Sequence, residues 1–176
     1  MSSETQERVD VLRVYSQNVY KNYAFLSLLL EDLRDSYDII FVQEPPWVTL
    51  RHTVSMTDRK GAPVTGSPMH PAWLPVVPRE AEVERPRVLA YVSARLAHMR
   101  PKLRTDVVSH PDIILLTLWG PAGPINLMNV YSDSNGTAIK FLDNPGLELP
   151  KLGYMGGDFN CHSPLWDLTC RGTPQL

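Results

Sequence analysis

Apolar and polar positions alternate from Val11 to Val19. Val11, Arg13, Tyr15 and Gln17 share one face, and Leu12, Val14, Ser16 and Asn18 the other, a period that predicts a strand. The period then changes. Phe25, Leu26, Leu29, Leu30 and Leu33 recur at helical spacing within Tyr23 to Arg34, which predicts a helix with one buried face and Asn22 as its cap. After Tyr37-Asp38, the run Ile39 to Gln43 is apolar and short, as in a parallel strand covered on both sides. This strand–helix–strand unit delivers Glu44 at a carboxyl-end sheet edge, where sites form in open α/β arrangements.

Residues 45–80, rich in Pro, Gly, Thr and Ser, read as one long loop. Strands are expected over Arg87 to Ser93, Leu103 to Val108 and Asp112 to Trp119. The turn Gly120-Pro121-Ala122-Gly123-Pro124 predicts a hairpin into Ile125 to Tyr131, followed by a short helix over Thr137 to Leu142. A Pro/Gly loop then leads to an apolar approach, Leu152 to Met155, which ends in Gly156-Gly157-Asp158-Phe159-Asn160. In an extended backbone Asp158 and Asn160 would point to one side. Residues 1–8 read as a disordered tail, and with no repeat or linker in sight 9–176 read as one domain.

Composition narrows the classes. A 176-residue chain with 43% hydrophobic and 20% charged residues is that of an ordinary globular protein. Its net charge of −2 excludes a general electrostatic attraction to nucleic acid, so any such binding must be local. The opening Met1 to Asp10 has no apolar signal region and no apolar run is long enough to span a bilayer, so no membrane partner is expected. The default is an intracellular location with reduced thiols, the nucleus remaining open because no Lys/Arg cluster signals import. Cys161, His162 and Cys170 lack a fourth ligand at zinc-finger spacing, and packing is their favoured use. Arg95, Arg100, Lys102 and Arg104 are candidates for touching a phosphate backbone, with a solvated face as the plainer reading.

Asn18, Glu44, Tyr131, Asp158 and Asn160 are polar residues at strand ends, and each alone has an ordinary reading as a turn or capping residue. Their order and context carry more. Gln17-Asn18-Val19, Gln43-Glu44-Pro45, Asn129-Val130-Tyr131 and Gly156-Gly157-Asp158-Phe159-Asn160, in this sequence, resemble the endonuclease/exonuclease/phosphatase superfamily. Gln43 to Trp47 (QEPPW), Arg87 to Ser93 (RVLAYVS), Gly157 to Trp166 (GDFNCHSPLW) and Arg171-Gly172 resemble most the endonuclease domain of non-LTR retrotransposons. The likeness covers about residues 10–176.

The resemblance implies an α/β (α+β) fold, the N-terminal part of a four-layer α/β sandwich with mixed sheets. It implies Mg²⁺-dependent hydrolysis of DNA phosphodiesters, with Mn²⁺ as a possible substitute and no small-molecule cofactor. Glu44 would hold the metal, with the Asn18 amide oxygen beside it. Asp158 would orient or deprotonate water, Asn160 would hold the scissile phosphate, and Tyr131 would support phosphate or nucleophile. His162 and Arg95 are further candidates for substrate contact. The family pattern continues into further strands, an aspartate ligand and a Ser-Asp-His element, whereas this sequence stops at Leu176. The expectation is therefore a truncated domain with an incomplete second sheet and impaired activity. The alternatives are a non-catalytic binding remnant of the same fold, or a phosphatase acting on another phosphate ester.

Overall fold

Residues 11–44 follow their hydrophobic pattern closely. The computed structural model describes residues 11–54, 61–77 and 86–160. The expected tail, together with Cys161, His162 and Cys170, lies outside the described residues.

Strand β1 (Val14–Asn18) leads into α1 (Tyr23–Asp32), whose first turn is capped by the Asn22 side chain accepting from Phe25 N at 3.0 Å. Strand β2 (Ile39–Gln43) is buried along its whole length and runs parallel to β1, with Asn18 opposite Gln43. Burial on both faces explains its unbroken apolar run. In α1 the buried stripe is Leu26, Leu29 and Leu30; Phe25 falls outside it and is 41% exposed, contrary to expectation.

Residues 45–80 are not one loop. Strands β3 (Val48–His52) and β4 (Pro63–Gly66) pair as a two-stranded sheet, and β5 (Trp73–Val76) joins the first main sheet. The β3–β4 pair has no buried apolar face, so the sequence carries no alternation to betray it. An anchor holds β5: Trp73 is buried and its indole N–H donates to Leu30 O at 2.7 Å, tying the strand to α1. Pro75 is tolerated because β5 is an edge strand.

Strand β6 (Val88–Ser93) runs antiparallel to β2 and β5, giving a sheet in the order β1-β2-β6-β5. A 3-10 helix, Ala94–Met99, follows. The strand expected over 103–108 shrinks to β7 (Lys102–Leu103). Beyond it Val107 N and Val108 N both bond Arg104 O, a turn in which Arg104 also clasps Asp106. Strands β8 (Ile113–Gly120) and β9 (Gly123–Tyr131) form the expected hairpin, and α2 (Thr137–Leu142) is the expected short helix. Strand β10 (Leu152–Asp158) runs parallel to β9, completing the order β10-β9-β8-β7.

The two four-stranded sheets face each other. Ile39, Phe41, Val88, Ala90 and Val92 of one meet Ile114, Leu116, Leu118 and Leu127 of the other. Helix α1 covers the outer face of the first sheet at Ile40, Val42, Leu89 and Tyr91. Ala138 and Phe141 of α2 pack on Ile113, Leu115, Met128 and Val130 outside the second. The architecture is thus an α+β four-layer sandwich with mixed sheets. Among the described residues no helix is long and apolar enough to cross a membrane.

Candidate functional site at two parallel strand pairs

Parallel pairing aligns carboxyl ends. In each sheet one parallel pair ends at the same edge of the sandwich: β1 and β2 bring Asn18 next to Gln43-Glu44, and β9 and β10 set Tyr131 opposite Asp158. Face-to-face packing then joins the two pairs. The Asn18 amide nitrogen donates to Asp158 Oδ2 at 2.8 Å and to Glu44 Oε2 at 3.1 Å. One neutral amide therefore holds two carboxylates, and neither carboxylate has a cationic partner within salt-bridge reach among the described residues. Like charges gathered without a counter-charge favour a bound cation.

Residues on neighbouring strands fix the surroundings. Glu44 N donates to Arg87 O, Tyr131 N to Asp112 O, and Ser132 N to Asp158 O, at 2.7 to 2.8 Å. Arg87 forks onto both oxygens of the buried Asp112 carboxylate, reaches Asp133 at 3.4 Å, and lies 5.1 Å from the centre of the Tyr131 ring. Its hydrogen bond to Asp112 raises the Arg87 pKa, so the guanidinium stays charged. Burial raises the Tyr131 pKa and the Glu44 charge adds to this, against the opposing Arg87 cation. The phenol, protonated at neutral pH in any case, is held further from ionisation and is available as a donor.

The backbone is strained here. Five non-glycine residues among those described have positive φ, and Tyr20 (48°), Lys21 (58°), Glu44 (47°) and Asn160 (46°) gather at this edge. The left-handed region costs an ordinary residue about 1–2 kcal/mol, and such strain concentrates where function over-determines geometry. Gly157 has φ +147°, and a Cβ there would lie 1.8 Å from Val130 O. The second glycine of the run is thus required by close approach of β9.

Two site expectations change. Strand alternation does not set Asn160 beside Asp158, because β10 ends at Asp158 and Asn160 is left-handed. Instead its backbone N–H bonds Asp158 Oδ1 at 3.0 Å and its amide donates to Ser132 O at 2.6 Å, which returns the side chain to the Tyr131 edge. Asn18 presents its donor rather than its oxygen to the carboxylates, because Oδ1 accepts Tyr20 N at 2.9 Å. That backbone donor fixes the amide's orientation.

Arg95 is not brought to this edge. It pairs with Asp38, which precedes β2, whereas Glu44 follows it; the length of the strand separates them. Arg104 is spent on Asp106. Conversely, Arg87, Asp112, Asp133, Tyr20 and Lys21 surround the centre without having been singled out as site residues. Arg87 begins the RVLAYVS segment, and no local pattern marks the others.

The carboxylates of Glu44 and Asp158 offer hard oxygen donors. Among the described residues no group of three or more His, Cys, Asp and Glu side chains has metal-holding geometry. Two carboxylates completed by water and substrate phosphate fit the way Mg²⁺ is usually bound.

No family model matches the sequence, and no curated protein matches it. Among solved structures the chain is similar to the endonuclease domain of TRAS1, a telomere-specific non-LTR retrotransposon. The TM-score is 0.47 at 14% identity, covering 89% of this chain and 62% of that one, so the chain spans less than two thirds of that domain's length.

Proposed function

We propose that the chain carries a divalent-metal-dependent phosphodiesterase centre that cuts DNA. The observation that supports this most is the Asn18 amide holding Glu44 and Asp158 together beside Tyr131 and Asn160, five polar residues drawn from four strand ends. The QEPPW and GDFNCHSPLW contexts support DNA over other phosphate esters.

Glu44 and Asp158 would hold the metal, which when bound polarises the phosphoryl oxygen and stabilises the leaving oxyanion. Asp158 would also accept a proton from the attacking water. Its Oδ2 is tethered by Asn18 and its Oδ1 by Asn160 N, so the carboxylate cannot rotate away. Tyr131, kept protonated, donates a hydrogen bond to a phosphate oxygen as negative charge develops. The second amide hydrogen of Asn160 serves the same phosphate. Arg87, over the Tyr131 ring, holds the phenol in place.

The test is nicking of supercoiled plasmid in Mg²⁺ by the 176-residue chain. Nicking that vanishes with EDTA and with Asp158→Ala supports the reading. Equal nicking by wild type and Asp158→Ala, or none by either, overturns it.

A further inference from the structure

We infer that the Tyr20-Lys21 corner is the substrate-facing platform of this centre, with Tyr20 stacking on a base beside the scissile phosphate and Lys21 taking a flanking phosphate. The inference rests on the DNA reading above.

Tyr20 is 75% exposed, more than any other large aromatic side chain among the described residues. An aromatic ring left in water gains nothing for folding. Here it stands on two successive left-handed non-glycine residues, a conformation that single turn residues seldom extend.

The corner is fixed from three sides. Tyr20 N bonds Asn18 Oδ1 at 2.9 Å, Lys21 N bonds Glu44 O at 2.8 Å, and Asn22 N bonds Val19 O at 2.9 Å just before Asn22 caps α1. Asn18 therefore does two jobs. Its nitrogen holds the two carboxylates, and its oxygen holds the residue that carries the exposed ring. The ring's position is set by the same side chain that sets the centre.

Tyr20 also lines an open cleft that runs past Asn18, Tyr154, Asp158 and Asn160, between edge strands β1 and β10. A flat ring at the rim of a polar cleft suits the face of a nucleobase, whose stacking does not depend on its identity. Charge points the same way. Glu44 and Asp158 repel a phosphate backbone, and Arg87 is engaged by Asp112 and Asp133. Lys21 is exposed and has no carboxylate partner among the described residues. It supplies the cation that the flanking phosphate needs.

The experiment measures binding of a duplex with a one-base bulge of 2-aminopurine, with Ca²⁺ replacing Mg²⁺. Tyr20→Ala should weaken binding about tenfold and abolish the fluorescence change, while Tyr20→Phe restores both. Against the same duplex with an abasic bulge, Tyr20→Ala should bind as wild type does. Lys21→Ala should lower the slope of log affinity against log salt by about one. The inference is overturned if Tyr20→Ala binds like wild type, if Tyr20→Phe behaves like Tyr20→Ala, or if no binding occurs. Nicking that depends on Asp158 but not on Tyr20 would overturn this platform alone. Tyr20-dependent binding without any nicking would instead remove the phosphodiesterase reading.

Discussion

The side-chain nitrogen of Gln43 donates to the side-chain oxygen of Asn129 across the interface between the two sheets. Asn129 in turn donates to Val42 O at 3.1 Å and Leu89 O at 3.2 Å, and both residues are buried. This polar bridge, extended by Ser16 Oγ accepting from Gln43 at 3.1 Å, sits one residue before Glu44 and two before Tyr131 beside the apolar contact of the two sheets. Asn129→Ala takes the second donor from two carbonyls that otherwise keep only their β2–β6 ladder bonds, and half-empties the Gln43 amide, whose other hydrogen stays on Ser16 Oγ. It should cost about 3 kcal/mol and lower the melting temperature by roughly 10 °C. Thermal unfolding checks this. The Gln43→Leu/Asn129→Leu pair should cost less than the sum of the single changes.

Gly157 and Gly136 both have positive φ, but only Gly157 is crowded. Gly157→Ala places a methyl group against Val130 O and must part β10 from β9, with a loss of about 4 kcal/mol or outright failure to fold. Gly136→Ala meets nothing within 4 Å and should lose only about 1 kcal/mol. Urea titration of the two variants separates crowding from backbone strain.

Arg87 is the counter-charge of a carboxylate that is almost wholly buried. Arg87→Ala should destabilise by about 3–5 kcal/mol, since Asp112 is then left charged and unpaired. Asp112→Asn in the same chain should recover part of that loss. The double variant, compared by denaturant midpoint, reports the share due to the stranded charge.

His110 accepts Asp112 N at 3.1 Å through Nδ1 and lies against the Phe141 ring. Burial lowers its pKa below 6.5, outweighing the Asp112 charge, with Arg87 lowering it further and Asp133 opposing. The unfolded chain therefore takes up this proton first. Stability should fall as pH drops from 6.5, and this contribution levels off once pH is below the folded-state value. His110→Asn, which keeps an acceptor without a titratable ring, should flatten the dependence of midpoint on pH between about 6.5 and 5.

Tyr131 is protonated through the neutral range like any phenol, and burial and the Glu44 charge hold it further from ionisation. Tyr131→Phe should reduce the rate of plasmid nicking about a hundredfold with little change in folding. No ionisation of this phenol should limit the pH–rate profile below pH 10. Glu44→Gln should abolish Mg²⁺-dependent nicking while leaving thermal unfolding near that of wild type.

Signals carried by neighbouring residues were legible, whereas long-range ties and single backbone exceptions were not. The Asn22 cap, the apolar run of β2, the β8–β9 hairpin and α2 each announce themselves in a few adjacent residues. Strand β5 does not, because the bond from Trp73 to Leu30 that holds it spans 43 positions. The polar strand ends Asn18, Glu44, Tyr131, Asp158 and Asn160 were recognisable from motif order. How Asn18 and Asn160 are turned depends on the left-handed residues Tyr20 and Asn160, which no period encodes. Arg87, Asp112 and Asp133 meet only through tertiary pairing, so their link to Tyr131 had no sequence signal.

The bond from Asn18 to Asp158 joins positions 140 residues apart. Contacts so distant in sequence carry a large loop-closure cost and tend to form late. The carboxylate cluster should thus come together only after both sheets have docked, and a chain caught part-way would hold its acids apart. Metal affinity would then serve as a folding clock: it should rise with the slowest phase of refolding, and no earlier species should compete for the cation.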